Sequence, residues 1–124
     1  MPTKKPASDI PKTAIERYDK IIATDARAER KGATIPYTSM NGHMFSQLEK
    51  DGSLILRLPP DDIAPFLAKH HTTLHTAYGI VRKEYVVVPD ALFKNTKLLT
   101  PWFKKSIDYV AGLKPKPTTK KKSS

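Results

Sequence analysis

Residues 35–60, IPYTSMNGHMFSQLEKDGSLILRLPP, hold two tight-turn signals, each flanked by short stretches suited to strands. Asn41-Gly42 is a strong hairpin signal, because both central positions of a type I′ turn need positive φ. It joins a strand near 35–40 to one near 43–49. Asp51-Gly52 makes the second turn, into 53–58, where Leu54, Leu56 and Leu58 face one way while Ile55 and Arg57 face the other. Two tight turns around one short strand pin the register of three antiparallel strands. Pro59-Pro60 stops the third strand, since proline has no N–H for a ladder.

Helices are expected on both sides of this meander. Upstream, Thr13 with Glu16 forms a capping-box pattern, and Ile15, Tyr18, Ile22 and Ala26 follow at helical spacing. Arg30 and Lys31 suit a last turn, and Gly32 a stop. Downstream, Asp61 or Asp62 can cap a short helix through Lys69, with Pro65 near its first turn. Residues 70–78 read as a loop. The Val- and Tyr-rich run 80–88 is a fourth strand, with Arg82-Lys83 as its point of interruption and Pro89 as its end. After a brief helical turn at Asp90, Thr100-Pro101 starts a final helix to about Leu113, with Phe103, Ile107 and Val110 on one side. The expected class is α+β in two layers: a mainly antiparallel sheet, made of the meander plus a fourth strand or hairpin, under helices in the order α-β-β-β-α-β-α.

The chain has 124 residues, 39% of them hydrophobic, which suits one domain over 13–113. Cysteine is absent, so disulfides, thiolate catalysis and Cys-ligated clusters are excluded, and a reducing, cytoplasmic setting is expected. No apolar run approaches the roughly 20 residues of a membrane helix, and no membrane partner is expected. The net charge of +10 is unevenly spread: 1–12 carry +2, 114–124 carry +5, and 13–113 carry +3. Both ends are Pro- and Lys-rich and read as flexible tails, the second one disordered. A body at +3 is ordinary and by itself calls for no polyanionic partner.

The reactive side chains are sparse. His71 and His75 stand four apart, the spacing that shares a metal on a helix, but they lack the intervening glutamate of a zinc-protease motif. An exposed loop is the favoured reading, and no metal or cofactor is expected. None of the serines lies in a nucleophile elbow, and the five glycines form no phosphate-cradling loop, so no catalytic residue is assigned. Arg57 and Glu84 fall on strands and either pair across the sheet or line a shared groove for a ligand. Lys114, Lys116, Lys120, Lys121 and Lys122, with Lys104 and Lys105, could hold nucleic-acid phosphates without reading bases; a solubilising tail explains the terminal lysines equally well.

Gly42-His43-Met44-Phe45, Asp51-Gly52-Ser53-Leu54 and Leu56-Arg57-Leu58-Pro59 together resemble the N-terminal domain of the TfoX/Sxy competence regulators. Lys83-Glu84-Tyr85-Val86-Val87-Val88-Pro89 and the closing helix extend the likeness over roughly 13–117. The small MmcQ/YjbR-type proteins are the second resemblance. The first implies a bacterial, cytoplasmic, non-enzymatic regulatory or protein-interaction domain, often self-associating. The alternatives are a nucleic-acid accessory protein using the basic tail and a small-ligand-binding domain.

Overall fold

In the computed structural model, which describes residues 10–32, 35–77 and 79–115, Asn41 and Gly42 have φ of 56° and 80°. Both are positive, as the type I′ turn demands, and they join β1 (Tyr37–Met40) to β2 (His43–Leu48). The second turn leads into β3 (Leu54–Arg57), where Leu54, Leu56 and following Leu58 are fully buried on the helix-covered side. The other elements are α1 (Lys12–Ile22), α2 (Pro60–His70), β4 (Leu74–Ala77), β5 (Ile80–Val88), α3 (Asp90–Phe93) and α4 (Thr96–Ala111). The five strands form one antiparallel sheet in the order β1-β2-β3-β5-β4, with helices packed on it. The α+β class is as expected, with one strand more than the expected order.

That extra strand is β4, inside the stretch 70–78 expected to be a loop. Its four residues are too few to carry a period, and they become a strand by pairing with β5. Opposite each other stand Leu74 and Val86, then His75 and Arg82, so residues 83–85 of β5 bulge without a β4 partner. β5 itself runs unbroken from Ile80 to Val88, without the interruption expected at Arg82-Lys83; only its pairing with β4 skips. Ile80–Arg82 pair with β4, Tyr85–Val88 pair with β3, and Val86 pairs with both.

A second bulge shapes β2. Thr38 faces Ser46 while Ser39 faces Met44, leaving Phe45 extra. Phe45 and Ser46 are therefore both buried although adjacent. Phe45 packs on Phe103 of α4 at 5.8 Å between ring centres, and Ser46 hydrogen-bonds the Tyr18 hydroxyl at 2.7 Å and also the Thr38 hydroxyl. Burial drives the Tyr18 phenol far above its ordinary range.

Four helix boundaries differ from expectation. Thr13 does not cap α1: the helix begins at Lys12, and the Pro11 carbonyl accepts from Ala14 and Ile15. α1 also ends at Ile22 instead of continuing to Gly32, because side chains offer the backbone other partners. The Thr24 hydroxyl donates to Ile21 O at 2.6 Å, and the Asp25 carboxylate accepts the Arg27 N–H at 2.9 Å. α2 starts at Pro60, leaving Asp61 and Asp62 in its first turn, where they favour the dipole without capping. α4 starts at Thr96, capped by Asn95, whose side chain accepts from Leu98 N. Thr100 bonds back to Thr96 O inside that helix.

The core extends to Ile10, 7% exposed, so packing begins within the stretch 1–12 expected to be a tail. Among the described residues, no helix is long and apolar enough to cross a membrane. Asn41 ties the sheet to the helical layer: its side-chain amide donates to Val110 O at 3.2 Å and Ala111 O at 3.1 Å, closing the C-terminus of α4. Asn41→Ala removes both bonds and puts alanine at a positive φ, and is expected to lower the unfolding free energy by about 1–2 kcal/mol. Urea denaturation of the two proteins measures this.

Candidate functional site

Arg57 ends β3, and its directly facing residue on β5 is Tyr85. Glu84 is one residue away, inside the bulged stretch, and the two charged side chains meet diagonally. Arg57 Nε and Nη2 both donate to Glu84 Oε1, at 2.8 and 2.6 Å. The other carboxylate oxygen accepts from the Tyr109 hydroxyl at 2.7 Å, which brings in the last turns of α4. Arg57 Nη1 reaches His43 Nδ1 at 3.5 Å, and His43 Nε2 donates to the Lys114 carbonyl at 2.9 Å. Rings of Tyr85 and Tyr109 lie 5.7 and 5.5 Å from the guanidinium carbon. Arg57 and Glu84 are thus brought together, but each is engaged by the other and by neighbouring groups. The assembly is a strut between β3, β5 and α4.

Electrostatics agree with that role. Burial pushes the Glu84 carboxyl up, but hydrogen bonds from Tyr109 and Arg57 outweigh it and hold the group below its ordinary value. Burial and the Glu84 carboxylate both raise the Tyr109 phenol. A second buried carboxylate, Asp25, is held far below the usual range, first by the Arg27 side-chain hydrogen bonds at 2.7 and 3.0 Å.

The two histidines lie neither on one helix nor both in an exposed loop. α2 stops at His70, so no helical turn separates His71 from His75. His71 is the exposed left-handed cap, with φ of 53°, and His75 is buried on β4 at 6% exposure. His75 Nε2 lies 3.1 Å from Glu49 Oε1, while its Nδ1 is buried without a partner. Among the described residues, no three His, Asp or Glu side chains gather where they could hold a metal.

The lysines on α4 diverge. Lys104 reaches Thr24 O and Asp25 at 3.4 and 3.5 Å, and Lys105 lies 3.7 Å from Asp62 on α2. Lys114 is exposed and held only through its carbonyl. Lys116, Lys120, Lys121 and Lys122 lie outside the described residues. The chain matches no family model, no curated protein and no solved structure.

Two clusters escaped sequence reasoning. One is His75 with Glu49, joined across strands that are not neighbours in the sheet. The other is Arg82 stacked on Tyr85, 4.2 Å from guanidinium carbon to ring centre. The only local signal was the Thr-rich run around His75, which favours a strand. Because the folded-state pKa of Glu84 is depressed, its stabilisation is present above the unfolded value near pH 4 and is lost as pH falls through the folded value. Glu84→Gln is expected to lose about 1–3 kcal/mol at pH 7 and to narrow the stability difference between neutral and acid pH. Chemical denaturation at both pH values checks this.

Proposed function

We propose that this chain is a non-catalytic regulatory domain that works by binding an acidic protein partner at its β4–β5 hairpin. The observation that carries the reading is the exposure of two consecutive apolar residues on β5, Ile80 at 68% and Val81 at 52%. Neighbouring residues on a strand point to opposite faces, so both faces of the hairpin end present apolar surface. β4 beside it is an edge strand of the sheet, and bare edges with apolar side chains favour association.

Charge selects the partner. From Ile63 to Lys83 the sequence contains Lys69, Arg82 and Lys83 and no acidic residue. Among the described residues, neither Arg82 nor Lys83 has a carboxylate within ion-pair distance. A second copy docked on the same surface would bring like cations together, whereas an acidic partner would neutralise them. The resemblance to TfoX N-terminal domains supports a regulatory role. The nucleic-acid reading is weakened because Lys104 and Lys105 already contact Asp25 and Asp62.

The test compares wild type with the Ile80→Ser/Val81→Ser double variant, both checked for an unchanged fold by circular dichroism. Affinity capture from source-cell lysate should retain an acidic protein that the variant loses at least about tenfold. Purified wild type should sediment as a monomer. Equal capture by the variant, or a purified dimer that the substitutions dissolve, would overturn the proposal.

A further inference from the structure

Beside the hairpin, on the side of the sheet away from the helices, lies a cleft of about 340 Å3 lined by Gln47, Glu49, His75, Thr76, Ala77 and Arg82. It exists because the hairpin curls over that face. β4 and β2 are separated in the sheet by β3 and β5, a span of roughly 14 Å at ordinary strand spacing. Yet residues of β4 share one cleft with Gln47 of β2, and His75 touches Glu49 just beyond it. Ile55, facing away from the helices, is only 1% exposed at this same side.

We infer that this cleft binds a small anion bearing a carboxylate or phosphate, with the Arg82 guanidinium as its principal contact. This goes beyond the docking reading and does not depend on it. Arg82 lies on the Tyr85 ring at 4.2 Å, and the Tyr85 hydroxyl is itself anchored to Met44 O at 2.9 Å. Stacking occupies the guanidinium face and leaves its N–H edges to grip a two-oxygen group. Arg82 has no carboxylate partner among the described residues.

The lining supplies further donors. The Thr76 side chain makes no hydrogen bond with the described residues, and the Gln47 amide donates one bond, at 3.2 Å to Glu49 Oε2, leaving its second N–H. The cleft's carboxylate, Glu49, opposes an anion, and the Arg82 charge offsets it. Both of its oxygens are engaged, Oε1 by His75 and Oε2 by Gln47. The volume admits an organic anion of metabolite size.

The experiment is a 1H–15N NMR titration of the full chain with acetate, succinate, inorganic phosphate and O-phosphoserine, with chloride as the ionic-strength control. Saturable shifts at Gln47, Thr76, Ala77 and Arg82 are expected, and whether the carboxylate or the phosphate probes saturate identifies the ligand's source. Arg82→Ala should raise Kd at least about tenfold, and Arg82→Lys should recover little, since lysine lacks the planar fork. Thr76→Val, a milder change, should weaken binding a few-fold and serves if the arginine variants fail to fold. Shifts that follow ionic strength identically with chloride, or saturable binding unchanged by these substitutions, would overturn the inference.

Discussion

The extra residue in β2 constrains the rest of the molecule. A regular strand would send Phe45 and Ser46 to opposite faces, but the bulge keeps both among the helices. Phe45 then fits against Phe103, and the Ser106 hydroxyl donates to the Phe45 carbonyl, so α4 is seated twice on one bulged position. Ser46 meets the hydroxyls of Tyr18 and Thr38, joining α1 to β1 and β2 through polar atoms that would be costly if left alone. The shift in alternation also leaves His43 within reach of Arg57 and of the chain leaving α4.

The charged residues consequently divide into two populations. Arg57, Glu84, Asp25, Arg27, Lys104 and Lys105 hold one another or neighbouring elements in place. Removing one member of the half-buried Arg57–Glu84 pair leaves its partner partly desolvated. Arg82 is differently placed. Its face rests on an aromatic ring while its polar edges meet no acid among the described residues. Two arginines on adjoining strands thus have opposite availability, and the bulge at 83–85 separates them.

What was legible in the sequence was local. Asn41-Gly42 dictates its own turn, and the leucines at 54, 56 and 58 announce which face of β3 is buried. Arg57 and Glu84 were singled out, and they do meet. What could not be read depends on contacts distant along the chain. Tyr109 reaches Glu84 only because Asn41 and the packing of α4 place it there. Thr13 and Thr100 looked like caps because their type suits that role, yet Pro11 and Asn95 occupy the boundaries. β4 had too few residues to show a period, and His75 was misjudged with it.

The skip in the β4–β5 pairing also sets the hairpin end apart from the rest of the sheet. Leu54 through Arg57 hold only the later part of β5, whereas β4 holds chiefly the earlier part. The hairpin end beyond residues 83–85 is thus tied to the body of the sheet through the His75–Glu49 bond, apart from the β3–β5 ladder. Segments with few ties to the core exchange their amides through openings smaller than global unfolding.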